Sequence, residues 1–464
     1  MNRHNEVCRM KPYSIKTFFS RHLAPARIFV FSFAALIMLG TLGLWLPFSA
    51  GSGNLRFVDA LFSSTSAVCV TGLTSIDIGR DLSFPGQIIT MILFQVGGLG
   101  IITFSIVLFI LMGRGISFKG REITKAAFLH TPKSDFYVII KKVLLYTIII
   151  ESAGSLLLFS RFIQEFPLGQ AFYLAVYHAI SAFNNCGYSL FSGSLTRYQS
   201  DILVNVTIMG LIILGGIGFI VQQEIVARLR GKEKRISLHT KIVLITTALL
   251  ILAGALSFYF MEMNNALRDV TTQTALLSSF FQSIVPRTAG FSTVDIGSLT
   301  NSTILVIMTL MFIGASPGST GGGVKTTSFA ILCLLIYNRF KSNENVNVAN
   351  RTIPPELVDR TISIVFASAI LIGVITAILL FFGDTGGEPL ASRYQFIEYV
   401  FETFSAFGNV GLSMGVTPEL NDIQKYAIII MMFIGRIGPL TLAFALYSSR
   451  KKRITYAEES VMVG

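Results

Sequence analysis

Charge is scarce in this 464-residue chain: Asp, Glu, Lys and Arg make up 13% of it, against 52% hydrophobic residues. Soluble domains carry roughly 25% charged residues, so that class is excluded, and a mean hydropathy of +0.66 makes lipid the expected solvent. Cysteine is also sparse. Cys8, Cys69, Cys186 and Cys333 lie far apart at no disulfide or metal-ligand spacing, and read as free thiols. Histidine gives no site either: His178 has no acid, Cys or second His at a useful spacing, so neither zinc nor a catalytic constellation is expected. Paired carboxylates and an activated serine are missing, which leaves an intramembrane enzyme without machinery. The basic segment before Pro25 lacks a short apolar core followed by a small-residue cleavage site, so no cleaved signal peptide is expected.

What is abundant is apolar length. A membrane-crossing helix needs roughly 20 mostly apolar residues, and eight stretches reach that length, beginning near Arg27, Gly86, Lys142, Leu203, Lys241, Thr303, Arg360 and Tyr426. Eight spans are expected. The net charge of +12 is no nucleic-acid footprint, because most basic residues cluster in Arg3 to Arg27, Arg114 to Lys142, Arg228 to Lys241, Arg339 to Arg360 and Arg450 to Arg453. With eight alternating spans these segments share one side, which the positive-inside rule makes cytoplasmic, together with both termini.

Between the two spans of each pair lies a shorter amphipathic stretch: Phe57 to Cys69, Gln170 to Asn184, Thr272 to Val285 and Tyr394 to Phe407. At roughly 20 Å each can enter the bilayer and return, but not cross. Each ends in a glycine-centred tetrapeptide: Val70-Thr71-Gly72-Leu73, Asn185-Cys186-Gly187-Tyr188, Thr288-Ala289-Gly290-Phe291 and Asn409-Val410-Gly411-Leu412. The first and third continue alike, as Thr74-Ser75-Ile76-Asp77 and Ser292-Thr293-Val294-Asp295. About 25 residues after each glycine the second span is interrupted by a glycine-rich break, at Gly97-Gly98-Leu99-Gly100, Gly215-Gly216-Ile217-Gly218, Gly314-Ala315-Ser316-Pro317-Gly318 and Gly435-Arg436-Ile437-Gly438-Pro439. A unit of helix, half-helix, glycine loop and helix therefore occurs four times. The expected fold is an all-α integral membrane protein with four such units, and four re-entrant loops, around a pseudo-fourfold central pore.

Irregular backbone at membrane depth must be buried in protein or line an aqueous cavity. Rings of backbone carbonyls replace the hydration shell of a monovalent cation, and half-helix C-termini add negative potential. The competing reading is that these glycines are helix-packing contacts; four at equivalent places favour the pore. In the third unit Gly314, Ser316, Pro317, Gly318, Gly321, Gly322, Gly323 and Lys325 cannot continue a helix and form a candidate gating loop. A nucleotide-binding P-loop is the weaker alternative, because Val324 separates glycine from lysine and no buried strand precedes the segment. Arg436 lies in an otherwise apolar run, where charge is costly; it either pairs with carboxylate or carbonyl oxygens to hold helices together or acts as an electrostatic gate. Glu151, Glu398 and Glu402 either draw cations to the outer mouth or pair inside the protein.

With these motifs the chain resembles the Trk/Ktr/HKT superfamily of potassium transporters, most closely the membrane subunit of bacterial Ktr systems. The resemblance covers nearly the whole chain and is carried by the first loop with its continuation, Pro286-Arg287-Thr288-Ala289-Gly290-Phe291, the Gly314 to Lys325 segment and Gly435-Arg436-Ile437-Gly438-Pro439. It implies that Val70, Thr71, Gly72, Asn185, Cys186, Gly187, Thr288, Ala289, Gly290, Asn409, Val410 and Gly411 form a K+ selectivity filter, that 314–325 gates it, and that Arg436 is the barrier. It also implies a homodimer with two pores in a bacterial plasma membrane, and a separate cytosolic ring of nucleotide-binding regulatory subunits. The basic cytoplasmic segments could meet that ring or anionic membrane lipid. Trk-type relatives often have an extra N-terminal hydrophobic pair that is missing here. Some plant relatives linked to sodium have serine in the first loop, whereas all four loops here have glycine, so K+ is the expected ion. Na+ enters as a candidate activator or co-ion, and the alternative function is a sodium-coupled secondary cation transporter. The second loop departs from the pattern in Asn184-Asn185 and Tyr188.

The expected division is 1–26 cytoplasmic, 27–113 first pore unit, 114–140 cytoplasmic linker, 141–230 second unit, 231–338 third unit, 339–357 cytoplasmic linker, 358–448 fourth unit and 449–464 cytoplasmic tail.

Overall fold

Large apolar side chains point outward in this protein: Phe31, Leu39, Ile148, Leu249, Phe366 and Phe381 are each more than half exposed, while Ser63, Ser64, Thr65 and Ser66 are fully buried. A hydrocarbon solvent demands this inversion, since polar groups must find partners inside the protein. The computed structural model describes residues 25–51, 53–111, 136–231, 235–383 and 389–446. Cys8, the basic N-terminal stretch, most of the 114–140 linker and the 449–464 tail lie outside the described residues.

Four long helices open the four quarters of the chain: α1 (Pro25–Trp45), α4 (Phe136–Phe162), α8 (Leu238–Glu262) and α12 (Pro355–Phe382). Each packs on the short helix that follows it: α2 (Phe57–Cys69), α5 (Leu168–Phe183), α9 (Thr272–Ile284) and α13 (Pro389–Gly408). The first and third short helices have 13 residues, as expected. The fourth reaches 20, because Pro389 starts it and no breaker intervenes before Gly408.

The helix after each short one is broken. α3 (Phe84–Leu111) turns at Gly100, α6 (Ile202–Gly216) meets α7 (Phe219–Leu229) at 102°, α10 (Asn301–Phe312) and α11 (Thr326–Phe340) flank the 313–325 segment, and α14 (Asp422–Ile437) gives way to α15 (Pro439–Leu446) at Gly438. Among the described residues, three helices are long and apolar enough to cross a membrane unaided, Ile140–Phe162, Leu238–Glu262 and Pro355–Phe382, with α6 and α7 a fourth if taken as one bent span. Starts are set by side-chain caps: Asp201 accepts from Val204 N–H, Ser237 from Thr240 N–H, Thr271 from Thr274 N–H, and Asn421 with Gln424 forms a reciprocal capping box.

The broken helices tie the quarters together in order. α3 packs on α2 and reaches α5; α6 packs on α5 and reaches α9; α10 reaches α13; α14 packs on α13 and returns to α2. One small departure from an all-α chain is a hairpin, β1 (Asn347–Val348) with β2 (Arg351–Thr352), whose turn residues Ala349 and Asn350 have φ of 49° and 60°. This left-handed pair matches the twist of a two-residue hairpin.

Candidate functional site

Each short helix delivers its chain into a loop with two left-handed residues. Val70, Asn185, Thr288 and Asn409 have φ of 56°, 59°, 82° and 51°, and two residues later Gly72, Gly187, Gly290 and Gly411 have φ of 96°, 79°, 71° and 93°. Only glycine takes the second position without strain; asparagine tolerates the first, whereas valine and threonine there are held against their preference by the surroundings. In three loops the left-handed residue closes a Schellman cap: Val70, Asn185 and Asn409 N–H donate to Ala67, Ala182 and Ala406 O, and Thr71, Cys186 and Val410 N–H donate to Ser66, Ser181 and Ser405 O. The second loop, despite Tyr188, follows this backbone pattern. The third differs, with Ala289 N–H donating to Val285 O.

The four glycines come together. A Cβ on Gly72 would lie 2.2 Å from Cys186 O; on Gly187, 2.5 Å from Ala289 O; on Gly290, 2.5 Å from Val410 O; and on Gly411, 2.3 Å from Thr71 O. Each glycine thus faces the carbonyl preceding the next glycine, and the fourth faces the first loop. Hydroxyl and amide side chains join neighbouring loops: Asn409 Nδ2 donates to Thr71 Oγ1 at 2.8 Å, and the Asn185 amide and Thr288 hydroxyl lie 3.2 Å apart.

The break glycines divide into two jobs. Hypothetical Cβ atoms on Gly97, Gly215 and Gly435 would lie 2.1, 1.9 and 2.1 Å from Val68, Phe183 and Phe407 O, so these glycines seat the broken helix on the end of the short one. Here the packing interpretation of small residues is the right one. Three residues on, Gly100, Gly218 and Gly438 have φ of 48°, 93° and 88° and turn the chain. Arg436 occupies the place that Gly98 and Gly216 hold in the first two breaks.

The 313–325 segment sits directly against the glycine loops. A Cβ on Gly321 would be 2.1 Å from Thr288 Oγ1, and one on Gly322 would be 2.1 Å from Asn409 Oδ1. Gly314 abuts Gly322 O, Gly318 and Gly323 are left-handed, Pro317 O approaches Gly218, and Ser316 Oγ pairs with Thr326 Oγ1 at 2.9 Å. Lys325 Nζ folds back to Gly321 O at 2.7 Å. The segment is stapled to the second break: Ser316 N–H donates to Gly216 O, Thr320 N–H to Gly215 O, and Phe219 N–H to Gly318 O. Arg436, 7% exposed, closes the other side. Its guanidinium donates to Thr320 O and to Gly97 O, and thereby connects the segment to the first break. Among the described residues no carboxylate pairs with it.

Other sequence candidates turn inward. Glu151 accepts from Gln95 Nε2 at 3.2 Å and Asn184 Nδ2 at 3.1 Å. Glu402 accepts from the Ser413 and Thr417 hydroxyls. Both pair inside the protein. The left-handed residue two before each glycine escaped sequence reasoning because two of the four, Val70 and Thr288, are β-branched types that avoid that conformation. A hydroxyl residue two after each glycine, Thr74, Ser189, Ser292 and Ser413, was a legible fourfold signal.

Comparison with known proteins completes the picture. The family model described as TrkH, cation transport protein, matches residues 19–452. The chain is 36% identical over 440 residues to the Ktr system potassium uptake protein B of Vibrio alginolyticus, covering 94% of each chain. It is also 36% identical to the potassium/sodium uptake protein NtpJ of Enterococcus hirae, over 96% of this chain and 98% of that one. The crystal structure of the potassium transporter TrkH from Vibrio parahaemolyticus superposes with a TM-score of 0.71 at 21% identity, covering 92% of this chain and 86% of that one, a likeness of fold.

Proposed function

This chain belongs to the TrkH family of cation transport proteins, and from that premise we propose that it is the ion-translocating membrane subunit of a bacterial potassium-uptake system. One observation carries the reading: four glycine loops from four quarters of the chain approach one another in cyclic order, each glycine against the carbonyl that precedes the next. Carbonyl oxygens gathered around one axis substitute for the water shell of a dehydrated K+, and no side chain intrudes at the glycines. Eight membrane crossings in four units, related by pseudo-fourfold symmetry, are the architecture we assign, with Val70 to Gly72, Asn185 to Gly187, Thr288 to Gly290 and Asn409 to Gly411 as the filter.

Beneath the filter, the 314–325 loop blocks the path and Arg436 locks it. A guanidinium bound only to carbonyl oxygens keeps its full positive charge facing any cation that passes, and its two anchors lie on separate elements. Opening then means releasing Thr320 from Arg436 and unstapling the loop from Gly215 and Gly216. A homodimer and a separate cytosolic nucleotide-binding ring complete the proposed assembly, with the cytoplasmic loops as its contact and a bacterial plasma membrane as its place. Sodium is assigned as activator or co-ion on the likeness to a protein named for potassium and sodium uptake.

The test is rubidium and potassium uptake by purified protein in liposomes under an outward-to-inward gradient. Uptake that prefers K+ and Rb+ over Na+ is expected; equal K+ and Na+ flux defeats the assignment.

A further inference from the structure

The chain leaving each proposed filter glycine turns back toward the short helix that delivered it, and a hydroxyl stands at the turn. In three loops this hydroxyl, two residues after the glycine, accepts the backbone N–H two residues further on: Phe191 N–H to Ser189 Oγ at 3.0 Å, Val294 N–H to Ser292 Oγ at 3.3 Å, and Gly415 N–H to Ser413 Oγ at 2.9 Å. Its own proton then needs an acceptor, and the loops differ in what receives it.

In the second and fourth loops the acceptor is a buried side chain nine residues before the glycine. His178 Nδ1 lies 2.8 Å from Leu174 O, and because a carbonyl only accepts, the neutral ring carries its proton on Nδ1 and leaves Nε2 as an acceptor. Ser189 Oγ lies 2.9 Å from that Nε2. Glu402 stands at the same place in the fourth loop; its Oε1 receives the Ser413 hydroxyl and, at 3.0 Å, the Thr417 hydroxyl, which also donates to Ser413 Oγ at 3.0 Å. Glu402 Oε2 is buried with no partner among the described residues, so both hydroxyls converge on Oε1. Both residues are fully buried, and the His178 ring also stacks on Phe191, 4.7 Å between centroids, and lies 6.3 Å from the ring of Phe291, which follows the third glycine.

The other two loops cannot do this. In the third, Phe281 occupies the equivalent place, Ser292 turns its proton to Val294 O, and Gln282 Nε2 reaches it only at 3.4 Å. In the first, Ser63 stands there, and the hold passes instead from Ser75 Oγ to Asp59 Oδ1 at 2.9 Å. The second and fourth glycines lie diagonally across the ring, since each approaches the first and third.

We infer that His178 and Glu402 are positioning residues for ion selectivity: each is a buried acceptor that pins the outward leg of its loop to the short helix, fixing two opposed sides of the filter. The inference rests on the uptake reading above and adds residues to it. A filter discriminates between K+ and Na+ only while its carbonyls hold their spacing, so a slack leg lets the ring close on the smaller ion.

The test measures rubidium uptake with sodium competition in liposomes for E402A, S413A, E402Q, S189A and the E402A/S413A double variant, each checked for monodispersity and thermal unfolding. E402A, S413A and S189A are each expected to lower the preference for rubidium over sodium by about tenfold, the effect of losing one hydrogen bond worth about 1.4 kcal/mol. The double variant should fall no further than the more affected of E402A and S413A, because both remove the Ser413–Glu402 contact, while E402Q, which keeps an acceptor oxygen, should stay within about twofold of the parent. A folded E402A and S413A with unchanged preference would overturn the inference, and so would E402Q behaving like E402A. Serine-to-alanine changes cost little volume, so S413A and S189A decide the matter if E402A does not fold. Failure of the uptake reading shows elsewhere, as no rubidium accumulation by the unsubstituted protein.

Discussion

Asp59 and Lys425 form a buried ion pair, Nζ to Oδ1 at 2.8 Å, between residues 366 positions apart in sequence. Asp59 lies in the first turn of α2 and Lys425 in the first turn of α14, so the pair clamps the first quarter of the chain to the last. Removing one partner of a buried pair leaves an uncompensated charge and costs about 3–5 kcal/mol, whereas replacing both with apolar residues is nearly neutral. D59A and K425A should therefore each lower the thermal unfolding temperature in detergent strongly, and D59L/K425M should recover most of the loss. Single variants as stable as the parent would contradict this.

Gly72→Ser should erode discrimination against sodium without abolishing transport. Its Cβ must fit 2.2 Å from Cys186 O at φ of 96°, so the neighbouring carbonyl has to move. We expect the potassium-to-sodium uptake ratio to fall by at least about tenfold, matching a distortion of roughly 1–2 kcal/mol. An unchanged ratio would place Gly72 away from the ion.

Arg436→Ala should raise potassium flux. The substitution removes one elementary charge from the proposed barrier and frees Thr320 O and Gly97 O together. A rise of about tenfold needs about 1.4 kcal/mol, well inside what a unit charge exerts over several ångströms at an effective dielectric of about 20. Flux that falls in well-folded protein would mean that Arg436 is a brace and no barrier.

Glycines that look alike in sequence should part on alanine scanning. Gly435→Ala forces a methyl to 2.1 Å from Phe407 O and should destabilise by about 1–3 kcal/mol. Gly373, inside α12, has no atom within 4 Å of the added methyl, and Gly373→Ala should be neutral or stabilising by about 0.5–1 kcal/mol. Thermal unfolding of the two variants compares them directly.

Acid should weaken one surface cluster. Burial alone would push the carboxyl of Glu165, just beyond α4, upward, but hydrogen bonds from Tyr198 and Arg161 and the charges of Arg161 and Arg197 outweigh it and hold it below the usual carboxylate value. A depressed carboxyl contributes stability that is complete above the unfolded value of about 4.3 and disappears as pH falls through the folded value. Glu165→Gln should thus be less stable than the parent at neutral pH, and the gap should close below about pH 4.

Much of this was legible in the chain. Hydropathy marked the three uninterrupted helices α4, α8 and α12, and the short stretches ending at Cys69, Phe183 and Ile284 were found within two residues at either end. The four glycines were legible because positive φ leaves few alternatives. The division of labour at the breaks was not. Gly97 and Gly100 have the same side chain, and only the proximity of Val68 O to one and the backbone turn at the other separate packing from kinking. Glu402 and His178 were equally opaque, since their partners Ser413 and Ser189 become neighbours only once the loop has turned back. The pairing of Arg436 with carbonyls was among the readings its sequence left open, but which carbonyls depends on elements more than a hundred residues away.

Asn409 reaches across to Thr71 over a sequence separation of 338 residues, and Gly411 seals against the same residue. The ribosome therefore releases the first loop long before the surface that completes it has been synthesised. Until residues 409–411 exist, the Thr71 hydroxyl and carbonyl lack the Asn409 amide and the Gly411 backbone that cover them in the finished fold. A chain that ends before residue 409 lacks both the donor to Thr71 Oγ1 and the glycine that faces Thr71 O, so its ring of loops has no fourth side.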